Sequence, residues 1–364
     1  MNQTLRRLFA VILLAACSGG ASGPDILIGS AGPWKEGFGV ANRRGIELAV
    51  EEINARGGIK GKPLRVLFRD DQSDGAVAAT VAQEFVDSTR LVAVVGHVTS
   101  GAMVAAAKVY DGQLAAIATT ATSPALSGIS SWAFRVISSD SANGAALARR
   151  AAKLGRQRAA ILYENDDYGR GLAEAFRADW KGTIVTIDPI PAEIKDAGPY
   201  IEYLKSRSVD LVMVAGTEVS GIALLQEARA QDFQADFIGG DGWTGIVSDT
   251  AAAEGALVGA PFTAADTRPE ARAFVKRYTA RYKSEPDGNA ALGYDATMLL
   301  AHIIERTGGD RKRVRDALAS LTLATAVPGV TGPLAFDRRG DPLGKSIVLT
   351  RVRAGVLIPA TEAK

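Results

Sequence analysis

The sequence has one cysteine, Cys17, and two histidines, His97 and His302. A lone cysteine closes no internal disulfide, and a Cys/His zinc site or a Cys–His nucleophile is close to excluded. Charge of one sign is lacking too. There are 42 Lys and Arg against 40 Asp and Glu, a formal charge of +2 over 364 residues. That balance gives no sign of a nucleic-acid surface. No G-x-S-x-G elbow occurs, and no G-x-G-x-x-G follows the first strand. Gly340 to Ser346 (GDPLGKS) has the look of a phosphate loop, but it is one residue short and a strand follows it where a helix is needed. No later apolar run is long enough to cross a membrane. At 47% apolar and 23% charged residues, the chain reads as globular and long enough for two domains.

The first residues read as a targeting segment. Arg6 and Arg7 precede a short apolar run, Leu8 to Ala16. Leu14-Ala15-Ala16-Cys17 resembles the bacterial lipoprotein box. That resemblance implies a signal peptide over 1–16, lipidation of Cys17, and a lipidated tether over 17–24. An ordinary secretory signal with a chance cysteine is the plainer alternative. Either way the product is exported, to the periplasm or the cell surface.

From Ile26 onward, strands and helices alternate. Short apolar runs at 26–28, 64–68, 91–95, 115–118 and 133–137 are separated by segments of helical periodicity. The alternation restarts at Ala142 and continues to about Gly259. The expected fold is α/β, two doubly wound, Rossmann-like lobes. The last third offers amphipathic helices at 269–282, 290–306 and 311–321, then a strand pair turning at Ala354-Gly355. That order suggests a chain that crosses between the lobes three times, near 138, 262 and 335. One lobe would comprise 25–138 plus 263–335, the other 139–262 plus 336–364. A ligand would sit between them, at the carboxyl ends of the strands.

One stretch organises the rest. Leu91 to Gly101 (LVAVVGHVTSG) reads as a buried strand, a turn with Thr99 and Ser100, and a helix beginning near Ala102. Such a turn aims free backbone N–H groups and the positive end of a helix dipole outward, which suits a carboxylate.

The set of motifs resembles one family. Gly45 to Leu64 (GIELAVEEINARGGIKGKPL), Asp70-Asp71, Val95-Gly96-His97, Asp167 to Gly171 (DYGRG) and Gly332 to Asp337 (GPLAFD) resemble leucine/isoleucine/valine-type periplasmic binding proteins, in order and with similar spacing. The resemblance implies a type I periplasmic binding fold with three hinge crossings. It implies a monomeric receptor that closes on an amino acid, apolar or branched-chain, or a related small carboxylate, and delivers it to an ABC permease. No catalysis, cofactor or metal is expected. A sensor without transport, for an amide, a urea-like molecule or an aromatic acid, is the rival on the same fold.

By the same resemblance the carboxylate falls to Ser100, Thr120, Ala121 and Thr122. Asp241 answers the ammonium, Tyr168 faces the ligand, and Tyr294 lines the side-chain pocket. Either Trp34 or Phe38 faces the ligand from the first loop. Where a family tyrosine stands in the second lobe, this chain has Gly216-Thr217-Glu218. Plainer roles compete: Ser100 as a helix cap, Asp241 as a turn residue, Glu218 as a helix-start charge. His97 reads as structural, and Asp166 and Asp167 as loop charges.

Overall fold

The computed structural model describes residues 25–360. Cys17, the signal segment 1–16, the tether over 17–24 and residues 361–364 lie outside the described residues.

The first sheet comprises β1 (Ile26–Gly32), β2 (Leu64–Asp70), β3 (Leu91–Gly96), β4 (Ala116–Ala118) and β5 (Ala133–Arg135), all parallel, in the order β2-β1-β3-β4-β5. All six residues of β3 are buried, as befits a strand covered on both faces. The helices between are α1 (Gly37–Ala55), α2 (Gly75–Asp87) and α3 (Ser100–Tyr110).

The chain then builds a second sheet. It passes through α4 (Asp140–Lys153), β6 (Arg158–Glu164), α5 (Asp167–Asp179), β7 (Thr183–Ile190), α6 (Gly198–Ser206), β8 (Leu211–Ala215), α7 (Glu218–Ala230), β9 (Asp236–Gly239), a 3-10 turn over Asp241–Ser248, α8 (Thr250–Ala253) and β10 (Leu257–Ala260). Helices α9 (Pro269–Tyr282), α10 (Gly288–Thr307) and α11 (Arg311–Ala319) return to the first sheet. A small ribbon of β11 (Val327–Gly329) and β12 (Gly332–Leu334) follows. The chain ends in β13 (Val348–Arg353) and β14 (Val356–Pro359), which add antiparallel to the second sheet. Its order is β14-β13-β10-β9-β8-β6-β7. Strands β7-β6-β8-β9-β10 repeat the pattern of the first sheet, so each lobe has a switch in strand order at its first strand.

Two glycines let the late helix α10 join the early lobe. A Cβ on Gly45 would stand 1.9 Å from Ala290 O, and one on Gly293 2.4 Å from Asn42 O. The helices therefore cross backbone to backbone, and Asn42 Nδ2 donates to Asn289 O at 3.0 Å.

Local differences from the sequence reading follow from hydrogen bonding. Strand β1 runs on to Gly32 because β2 pairs with it that far, and α1 begins at Gly37. The first loop, where Trp34 and Phe38 were expected, is thus only residues 33–36, and Phe38 stands in a helix. Helix α3 begins at Ser100, two residues early, with Thr99 as its cap. The phosphate-loop look-alike is a connector between the lobes. Its Asp341 pairs with Arg135, and its Lys345 Nζ, fully buried, donates to Val136 O and Thr331 Oγ1 beside Asp295. Burial pulls the Lys345 ammonium down to about 8, against the pull of Asp295.

Candidate functional site

The carboxyl ends of β1, β3, β6 and β8 face one cavity of about 480 Å³ between the sheets. That volume suits a small-molecule ligand. Phe38, Ser100, Thr120, Tyr168, Glu218 and Asp241 line it.

Ser100 opens α3. Its Oγ accepts from Thr122 N at 3.2 Å and Ser123 N at 3.1 Å. Both carbonyls of that loop accept from the buried Arg135 Nη1, at 2.8 and 2.9 Å. The loop is thus tied on both sides of its peptides. The Ser100 hydroxyl keeps its own proton to donate, beside the N–H groups that every helix start leaves free. Thr120 Oγ1 donates to Val98 O at 2.7 Å. Behind this wall, His97 bridges Asp71 Oδ2 at 2.7 Å and Tyr110 Oη at 3.0 Å, wholly buried, as a structural residue. Asp71 Oδ1 also accepts from Ser73 N, which fixes Ser73 at the cavity edge with a left-handed φ of 57°.

The facing wall belongs to the second lobe. Tyr168 Oη accepts from Gly242 N at 3.0 Å, fastening α5 to the loop after β9. Burial, then the charge of Asp241, pushes the Tyr168 phenol well up. Asp241 is nine-tenths buried, and its Oδ1 has no hydrogen-bond partner. Burial pushes its carboxyl up to about 7, against its own backbone N–H and the Tyr168 hydroxyl. Asp140, fully buried, is also held well above the usual range, by burial and by Asp241. A positive group in the cavity would satisfy the free oxygen of Asp241 and draw that proton off.

Four anticipated residues stand elsewhere. Tyr294 packs on Phe274 at 4.8 Å, and its Oη bonds Glu52 Oε2 at 3.0 Å and Arg277 Nη2 at 3.1 Å. It belongs to the aromatic core between α1, α9 and α10. Trp34 stands edge-on to Phe68 at 5.5 Å, outside the cavity lining, so of the two first-loop aromatics Phe38 faces it. Ala121 and Thr122 are fully buried behind Ser100. Asp166, expected as a loop charge, does line the cavity, and it caps α5 through Gly169 N at 2.7 Å.

The sequence reading passed over several lining residues. Glu164 Oε1 accepts from Thr217 N, Thr217 Oγ1 and Ser220 Oγ, at 2.7–2.8 Å, and so fixes the β8–α7 turn that presents Glu218. Its place at the end of the switch strand β6 was the available signal. Glu36 lay inside the loop already singled out for its aromatics. Asn289, at the start of α10, carried no signal. Its Nδ2 donates to Thr244 Oγ1 of the other lobe at 3.2 Å.

Residues 26–356 match the family described as periplasmic binding protein. The chain belongs to that family. The relatives of this periplasmic binding protein include the leucine-, isoleucine-, valine-, threonine-, and alanine-binding protein of Pseudomonas aeruginosa, 30% identical over 93% of each chain. The Leu/Ile/Val-binding protein of Escherichia coli is 30% identical over 94% of this chain and 95% of its own. Among solved structures, the branched-chain amino acid transporter substrate binding protein LivJ of Streptococcus pneumoniae, in complex with isoleucine, superposes with a TM-score of 0.86. It is 29% identical and covers 92% of this chain and 97% of its own. Proteins of this family work outside the cytoplasm as binding proteins. Among the described residues no helix is long and apolar enough to cross a membrane.

Proposed function

We propose that this chain is the exported substrate-binding subunit of an ABC importer and captures an α-amino acid between its lobes. The observation that carries the reading is the pairing of two unlike walls across one cavity. The first lobe offers the Ser100 hydroxyl and the start of α3 to a carboxylate. The second offers the unpartnered Asp241 Oδ1 to an ammonium, with the Tyr168 ring beside it. A zwitterion spanning both walls binds the closed form better than the open one, and that difference in affinity drives closure. The lobes turn on the connections near 138, 262 and 335, and the closed form docks on the permease. The work is binding, without turnover. The relatives named for leucine, isoleucine and valine support an α-amino acid as the ligand class.

Lipidation of Cys17 would hold the monomeric receptor at the membrane surface. Calorimetry on the purified protein with a panel of amino acids, short amides and aromatic acids tests the reading. Binding of at least one amino acid is expected, and binding of aromatic acids or amides alone would overturn it. Labelling with a fatty acid, and its loss in Cys17→Ala, tests the anchor.

A further inference from the structure

Glu36, Glu164, Asp166, Glu193, Glu218 and Asp241 line the cavity, and among the described residues no Lys, Arg or His lines it with them. Glu164 is answered by its three donors and Asp166 by its helix cap. Asp241, which lines the cavity with an unpartnered buried oxygen, answers one ammonium. Of the three that remain, Glu36 and Glu193 are exposed at the rim and Glu218 is half-buried, so Glu218 is the carboxyl that an apolar amino acid leaves unused.

Glu218 is the centre of that remainder. It reaches over the cavity from the first residue of α7 toward the first residue of α1. A Cβ on Gly37 would stand 2.6 Å from its Oε1, and one on Gly245 1.5 Å from its Oε2. The carboxyl group therefore occupies a slot that two glycines leave open, one from each lobe. Among the described residues neither a donor nor a cation eases its charge. Burial, then the negative charges of Asp287 and Glu36, pushes it up. Glu36 is pushed up too, by burial and by the charges of Asp70, Asp71 and Glu164, against a hydrogen bond from Ser73. The nearby Lys35 is 91% exposed and lies 4.0 Å from Asp70, away from this cluster. Acidic groups crowded in a half-buried cleft repel one another, and a cation placed among them relieves both desolvation and repulsion.

We infer that the preferred ligand is an α-amino acid with a second positive charge at the end of its side chain, held by Glu218 and Glu36. The ligand class is that of lysine, ornithine and arginine. Phe38, lining the same end, packs on the aliphatic stem. The inference rests on the amino-acid reading proposed above and extends it to the side chain.

Calorimetry on the purified protein with L-lysine, L-ornithine, L-arginine, L-leucine and L-norleucine tests it. Norleucine keeps the stem of lysine and drops the charge. At least one basic amino acid is expected to bind at least tenfold tighter than norleucine. In Glu218→Gln that advantage of the basic ligand over norleucine should fall at least tenfold. If leucine or norleucine binds as tightly as every basic ligand, the inference is overturned and the amino-acid reading stands. Should no amino acid bind at all, the amino-acid reading falls and the inference falls with it. The ranking on the unaltered protein decides the matter even if the variant folds poorly.

Discussion

Asn289 Nδ2 donates to Thr244 Oγ1 at 3.2 Å, a direct hydrogen bond from α10 of one lobe to the 3-10 turn of the other. The same side chain also donates to Asp287 Oδ2 at 3.0 Å, so it is held in position before the lobes meet.

Removing that bond should loosen the closed form alone. A net hydrogen bond contributes about 0.5–1.5 kcal/mol. Thr244→Val, which keeps the shape, is therefore expected to weaken ligand binding by roughly two- to tenfold, chiefly through faster release. Stopped-flow release with the unaltered protein as reference checks this. An unchanged release rate would mean that the bond carries no part of closure.

Ser100→Ala should cost both stability and binding. It strips the acceptor from two buried backbone N–H groups, Thr122 N and Ser123 N. Each unsatisfied group costs about 1–3 kcal/mol. Thermal melting should shift down by several degrees without ligand. Affinity should fall at least tenfold, because the hydroxyl that meets the carboxylate is gone.

Asp241 makes binding depend on pH. Its carboxyl in the ligand-free protein titrates at about 7. An ammonium favours the ionised form, so binding at pH 6 releases a proton. Affinity should rise with pH up to about 7 and level off above it. Calorimetry in buffers of different ionisation heat measures the proton count. Stability runs the other way. A carboxyl whose folded value lies above 3.8 keeps a proton that the unfolded chain gives up, so its contribution is full below 3.8 and is lost as pH rises toward 7. Asp140 acts in the same sense. Asp241→Asn should therefore melt higher than the parent at pH 8 while binding at least tenfold more weakly.

Tyr294→Phe separates the core from the site. The hydroxyl serves Glu52 and Arg277, not the cavity. Melting should fall by a few degrees with ligand affinity unchanged. A tenfold affinity loss would put Tyr294 in contact with ligand after all.

The strands were the most legible part of the fold. Leu91 to Val95 is an unbroken apolar run, and a strand buried on both faces needs one. The site was legible where a residue follows a strand end, as Ser100 follows β3 and Tyr168 follows β6. It was less so on α10. Fifteen of its residues are buried, so no polar stripe reveals which side faces the cavity. That orientation is set by the contact of Gly45 with Ala290 and of Gly293 with Asn42, between segments some 250 positions apart, a tertiary relationship that local periodicity cannot express. The choice between Trp34 and Phe38 stayed open in the sequence for a related reason, since pairing with β2 carries β1 past the length of its apolar run. The acids at Glu36 and Glu193 look like ordinary surface charges until the two lobes are set face to face.

The single ammonium of Lys345 ties two of the connections between the lobes, at Val136 and at its own segment, to α10 of the first lobe. It donates to Val136 O and Thr331 Oγ1, and Asp295 on α10 stands 3.9 Å away. Untied, such connections would let the halves slide, twist and tilt separately. Tied at one point, these two connections move together, so on the proposed function the halves would swing more readily than slide, like a door on its pin. A permease that tests only how far the door has swung would then tell the loaded receptor from the unloaded one.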